Sequence, residues 1–195
     1  MPTQLAFYII PARCVQCYAC DVACKTTNNV DLGLHWRRVR DHWGGEYPKP
    51  TNINMTSSCM HCEKPACKEV CPANAISKRA DGVVVVNQKE CIGCRACEAA
   101  CPYGAPQYGR SGKMEKCNFC SDQLAKGKEP ACVATCPGEA LGFGPIDEVQ
   151  KLAASKSGVR LEGQTKPSFF ILPAGMGPKP NVYIDTFFRE PVKNA

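Results

Sequence analysis

An α+β, loop-rich fold of short helices and small β hairpins is what this sequence predicts, and three observations predict it. The 195 residues include 16 cysteines, gathered into four runs. Gly 16 and Pro 16 interrupt the chain too often for long regular elements. The apolar stretches between them, such as Leu5–Ile10 and Val83–Val86, have strand rather than helix length.

The runs are Cys14, Cys17, Cys20, Cys24; Cys59, Cys62, Cys67, Cys71; Cys91, Cys94, Cys97, Cys101; and Cys117, Cys120, Cys132, Cys136. The first and third read C-x2-C-x2-C-x3-C, the second C-x2-C-x4-C-x3-C and the fourth C-x2-C-x11-C-x3-C. The first of these spacings, commonly followed by proline, is the bacterial ferredoxin signature for [4Fe–4S] ligation. Cys71-Pro72, Cys101-Pro102 and Cys136-Pro137 carry that proline, whereas the first run ends in Cys24-Lys25. In two-cluster ferredoxins the fourth cysteine of a run ligates the other cluster. Four runs thus imply two crossed pairs and four clusters, and the fold class becomes tandem bacterial-ferredoxin-like modules.

Leu5 to Ile10, apolar and stopped by Pro11, reads as a strand feeding the first cysteine loop, and a short helix is expected over 21–27. Asn28 to Thr56, with Gly44-Gly45, Pro48 and Pro50, reads as turns and an excursion from the core. Residues 57–110 read as a self-contained two-cluster unit, in which Asp81-Gly82 between extended runs marks a hairpin. The segment Cys136 to Leu141 echoes Cys71 to Ile76, so 1–56 and 111–141 are expected to form a second unit around it. In 142–195, Pro145 to Lys156 reads as a helix with Ile146, Val149, Leu152 and Ala153 on one face. Phe169–Leu172 and Val182–Ile184 are strand-like. This tail shows no chemistry and is expected to pack over the cluster units, with a partner-docking arm as the second reading.

The formal charge of +6 counts thiols as neutral. An oxidised cubane with four thiolates carries about −2, so four of them contribute about −8 and bring the holo-chain to about −2. The basic balance is then no sign of nucleic-acid binding, and Arg37, Arg38 and Arg40 read as a solvated face or a partner contact. Trp36 and Trp43 beside them could equally be core. No apolar stretch is long enough to span a membrane, and the N-terminus lacks the pattern of a signal peptide. Cluster assembly needs a supply of iron and sulfide, which places it in the cytoplasm; any export would follow folding.

Disulfides are excluded by the crowding of each run in a chain too long to need such staples. Structural zinc is the stronger competitor, but zinc sites normally use two separated Cys pairs. His61, between two cysteines, reads as a hydrogen-bonding or packing residue rather than a ligand. Lys25, Arg95 and Lys116 adjoin cysteines; solvent exposure is the first reading for them, and opposition to cluster charge the second.

Through these residues the chain resembles the iron–sulfur (B) subunit of dimethyl-sulfoxide-reductase-type molybdopterin oxidoreductases. The resemblance rests on Cys59-Met60-His61-Cys62-Glu63-Lys64-Pro65-Ala66-Cys67, Cys91-Ile92-Gly93-Cys94-Arg95-Ala96-Cys97, Ala100 to Tyr108 and Phe143 to Glu148. It implies a non-catalytic electron-transfer subunit of an anaerobic respiratory complex, with four [4Fe–4S] clusters. The implied ligand sets are Cys14, Cys17, Cys20 and Cys136; Cys24, Cys117, Cys120 and Cys132; Cys59, Cys62, Cys67 and Cys101; and Cys71, Cys91, Cys94 and Cys97. The first would face a large molybdopterin (bis-MGD) catalytic subunit, and the last a membrane anchor or soluble carrier. A freestanding polyferredoxin serving a hydrogenase or formate dehydrogenase is the alternative. One departure lies in Cys14-Val15-Gln16-Cys17, where relatives commonly carry glycine before the second cysteine; a side chain there removes glycine's freedom for positive φ.

Overall fold

A computed structural model describes residues 3–172; Val182–Ile184 lie outside them. In chain order its elements are β1 (Leu5–Ile9), α1 (Ala19–Asn28), β2 (Arg38–Glu46), β3 (Lys49–Ser57), α2 (Ala66–Glu69), β4 (Ile76–Lys78) and β5 (Val84–Val86). There follow α3 (Ala96–Ala100), β6 (Gln107–Tyr108), β7 (Met114–Glu115), α4 (Ser121–Leu124) and α5 (Ala131–Ala134). The last are β8 (Leu141–Pro145), α6 (Ile146–Ser155), β9 (Val159–Arg160) and β10 (Phe169–Ile171). The chain is α+β and loop-rich, as its composition predicts.

One sheet organises the ends of this region, with strand order β8-β1-β10-β9. β1 runs antiparallel to β8 and parallel to β10, with Phe7 opposite both Phe143 and Phe169. Strand side chains alternate between faces, and here the two faces serve different cores. Phe7, Ile9, Phe169 and Ile171 pack among Cys20, Cys59, Cys117 and Cys132. Ala6, Ile10, Phe170 and Leu172 meet Val149 and Ala153 of α6, with Ile146 and Leu152 alongside. That is the apolar face expected of this helix. Each large apolar side chain so buried contributes about 1.5–3 kcal/mol, and the sheet becomes a wall that keeps solvent from the cysteines.

The 28–56 segment departs from expectation. From Arg38 onward it is not an excursion of turns but both arms of the longest hairpin described, β2 with β3, paired from Arg38↔Ser57 to Glu46↔Lys49. Ile53 and Met55 are buried in the cysteine core, and their period-two spacing fits a half-buried strand. Trp36 packs against that core, whereas Trp43 is exposed. The Asp81-Gly82 hairpin forms as predicted between β4 and β5, with Gly82 at φ +79.

Arg37 needs the plainest correction. It belongs to no solvated face: only 1% of it is exposed, and it is the largest side chain that is fully buried. Sequence reasoning places it outside because an isolated charge in an apolar interior is costly; the compensation comes from the cysteines around it.

Candidate metal centre

Each C-x2-C loop makes the same backbone turn. The residue before the second cysteine is left-handed in all four runs: Gln16 (φ 55), His61 (φ 41), Gly93 (φ 70) and Phe119 (φ 61). Gln16 thus adopts the positive φ despite its side chain, at the cost that region imposes on L-residues, about 1–2 kcal/mol. The third cysteine then sits second in a short helix: Cys20 in α1, Cys67 in α2, Cys97 in α3 and Cys132 in α5. Where Cys-Pro follows, the helix ends before the fourth cysteine, because the residue before proline is barred from helical ψ. Cys24 is followed by Lys25, and α1 runs on through it to Asn28.

These turns gather the cysteines into groups drawn from different runs. Cys59, Cys62, Cys67 and Cys101 line one recess of about 380 Å³. Cys71, Cys91, Cys94 and Cys97 line another of about 320 Å³, and Cys14, Cys17, Cys20 and Cys136 a third of about 350 Å³. Cys24, Cys117, Cys120 and Cys132 form the remaining group: the last three are the cysteines whose charge acts most strongly on Cys24, and the Asn28 amide lies 3.9 Å from Cys24 Sγ and 3.8 Å from Cys120 Sγ. Among the described residues no three ligand groups converge on a single-ion site. In three of the groups the thiols ring a common recess instead, which suits a polynuclear core and not one zinc ion, whose four ligands must meet at about 2.0–2.3 Å from a point.

The thiol chemistry fits such a core. Burial, reinforced by neighbouring cysteines, pushes Cys62 and Cys67 up to about 12, and it raises Cys14, Cys20, Cys97 and Cys101 as well. Four thiolates so close together need compensating positive charge, and ligation to iron supplies it while releasing the protons. Donors already point at the sulfurs. The amides of Ala105 and Ala140 lie 3.5 and 3.2 Å from Cys101 and Cys136 Sγ, those of Met114 and Phe119 each 3.4 Å from Cys91 and Cys117 Sγ, and the Tyr108 hydroxyl 3.2 Å from Cys97 Sγ. Hydrogen bonds to sulfur raise cluster potentials.

Residues 51–146 match a family model, the 4Fe-4S dicluster domain. The chain is 43% identical over 185 residues to the B subunit of anaerobic dimethyl sulfoxide reductase from Escherichia coli (strain K12), covering 89% of this chain and 90% of the relative. The chain belongs to the family of dimethyl sulfoxide reductase B subunits. Other relatives are the B subunit of the same reductase from Haemophilus influenzae, at 38% identity (92% and 91% covered), and that of polysulfide reductase from Wolinella succinogenes, at 40% (84% and 91%). As a B subunit it is an iron–sulfur electron-transfer component of a reductase complex, with [4Fe–4S] cofactors and no catalytic centre of its own. Among its described residues no helix is long and apolar enough to cross a membrane.

Two cations whose first sequence reading is solvent exposure are buried beside the cysteines. Lys116 is not solvent-exposed: only 4% of it is accessible, it lines the Cys59 recess, and its Nζ donates to the carbonyls of Val84 and Cys117. Arg37 is the other. Arg95 is exposed, over the Tyr108 ring at 4.5 Å, and Lys25 is half-buried, its Nζ on the Leu34 carbonyl. His61 is buried and neutral: burial, then Lys116, Arg37 and Lys78, lower it well below the usual imidazole range. Its Nδ1 accepts the Val84 N–H at 3.0 Å, which gives it a packing and hydrogen-bonding role.

Proposed function

We propose that each group holds one [4Fe–4S] cluster: Cys14, Cys17, Cys20 and Cys136 the first; Cys24, Cys117, Cys120 and Cys132 the second; Cys59, Cys62, Cys67 and Cys101 the third; Cys71, Cys91, Cys94 and Cys97 the fourth. The single observation carrying this is that cysteines distant in sequence line common recesses in the first, third and fourth of these sets, which leaves the remaining four cysteines as the second. On this reading the first and last runs form one two-cluster unit and the middle runs another, inserted into it. When bound, the clusters supply one-electron transfer; the chain's part is to hold, shield and tune them.

Contacts between neighbouring groups support this order of the sites. Cys20 and Cys132 interact across the first and second, and Cys117 and Cys59 across the second and third. Cys67 and Cys71, from the third and fourth, pack against one apolar core of Ile76, Val84, Cys97 and Met114. The two ends are also the exposed ones. Cys17 and Cys94 are the exposed cysteines, and beside them Val15 and Ile92 are 67% and 68% accessible. Such thinly covered ends suit electron entry and exit, the first toward a bis-MGD catalytic subunit and the fourth toward a membrane anchor or a soluble carrier. Assembly takes place in the cytoplasm, where iron and sulfide are available.

Three substitutions test the scheme in the native complex. Cys17→Ser and Cys136→Ser should abolish the same paramagnetic signal, and Cys94→Ser a different one. Cys94→Ser should also slow turnover driven by the physiological donor while sparing turnover with an artificial donor to the catalytic subunit. Loss of different signals in Cys17→Ser and Cys136→Ser would refute the grouping; equal loss of both activities in Cys94→Ser would refute the order.

A further inference from the structure

We propose that Arg37 is an internal cation shared by the first and second cluster sites, holding the reduction potentials of both upward. Its guanidinium is fixed on three sides: Nη1 donates to Thr56 Oγ1 at 3.3 Å, Nη2 to Ser58 Oγ at 3.0 Å, and Cζ lies 5.0 Å from the centre of the Phe7 ring. Thr56 Oγ1 is in turn 3.6 Å from Cys20 Sγ. The charges that act on Arg37 are those of Cys132, Cys117, Cys20 and Cys24, one cysteine of the first group and three of the second. Among the described residues Arg37 makes no ion pair with a carboxylate.

A guanidinium with almost no exposure and no acidic partner is strongly unfavourable unless negative charge lies near it. Among the described residues the compensating charge comes from ligated thiolates, which leave each cubane at about −2. Reduction adds a further electron to either site, and a fixed positive neighbour favours that state. Arginine suits the position because it stays protonated in any surroundings and its planar fork meets two hydroxyls at once. The β2–β3 hairpin delivers the whole device: Arg37 precedes β2, while Thr56 and Ser58 lie at the end of β3, where Val39 pairs with Thr56.

The inference rests on the ligand grouping proposed above, and the test separates the two. In the purified complex, redox-poised paramagnetic resonance resolves the four midpoint potentials, with the first and second clusters identified by the signals lost in Cys17→Ser and Cys24→Ser. Arg37→Met should lower those two potentials, each reduction equilibrium falling about tenfold or more (about 59 mV for one electron), with the third and fourth unmoved. Arg37→Lys should restore most of the shift. A protein with full iron content and four unchanged potentials overturns the inference, as does a shift spread evenly over all four, or a Lys variant as low as Met. If Arg37→Met fails to retain iron at the two sites and Arg37→Lys retains it, the charge is needed there and the inference stands. Loss in both variants assigns Arg37 to packing and overturns it. A wrong grouping would show itself separately, as Cys17→Ser and Cys24→Ser removing the same signal.

Discussion

Replacing Gly93 by alanine should release the fourth cluster, and the structure lets the cost be divided. Gly93 stands at φ +70, and an added Cβ would come within 2.5 Å of the Gly112 carbonyl oxygen. Gly112 has nearly the same backbone, φ +66, but nothing within 4 Å of where its Cβ would be. Gly112→Ala therefore bears only the left-handed backbone cost, about 1–2 kcal/mol. Gly93→Ala bears that and a collision with backbone, which cannot rotate aside; overpacking of this kind costs about 1–3 kcal/mol more. Unfolding of a cluster-bound chain is irreversible, so a rate is the quantity to measure. Iron release from the fourth site, followed by its paramagnetic signal under mild heating, should accelerate by roughly five- to thirtyfold in Gly112→Ala and by about a further tenfold in Gly93→Ala. A Gly93→Ala protein no faster than Gly112→Ala would refute the reasoning.

Other positions give sharp expectations. Gln16→Gly removes the backbone cost at the first loop but adds freedom to the unfolded chain; loss of the first cluster should slow by at most about fivefold, and acceleration would contradict the strain. Phe119→Ala deletes a ring stacked on Phe7 at 4.0 Å and set edge-on to Phe143; about 3–5 kcal/mol should be lost, measurable as a lower inactivation temperature of the complex. Lys116→Met removes the cation beside the Cys59 recess and should lower the third potential alone, in a redox-poised titration. His61 has a folded pKa below its unfolded value near 6.5, so the unfolded chain binds the extra proton. Stability is full above about 6.5 and declines as pH falls below it; iron release should rise between pH 7 and pH 5, and less steeply in His61→Gln.

The four cysteine runs were legible because each is a local spacing within one stretch of chain, and proline marks where the helix must stop. The α6 face and the Asp81-Gly82 turn were legible for the same reason, since periodicity and φ are set by neighbours in sequence. Arg37 and Lys116 were not. A charged side chain reads as surface unless its partners are known, and here they lie far off in sequence: Thr56 and Ser58 for Arg37, the Val84 carbonyl for Lys116. The β2–β3 hairpin was hidden by Gly44-Gly45, Pro48 and Pro50, although Ile53 and Met55 already alternated with polar residues. The shared left-handed turn was visible only at Gly93, because histidine, glutamine and phenylalanine give no hint of positive φ.

The parallel pairing of Leu5–Ile9 with Phe169–Ile171 sets a timetable for biosynthesis. The first strand described is flanked on one side by the last strand described, so that edge stays uncovered until nearly all of this region has left the ribosome. By then every cysteine has emerged, and Cys136 is available to line one recess with Cys14, Cys17 and Cys20. The inner loops can close over their inorganic cargo while translation continues, but the wall behind the outermost pair is completed only afterwards. A nascent chain stalled before residue 169 would hold those thiols within reach of oxidants.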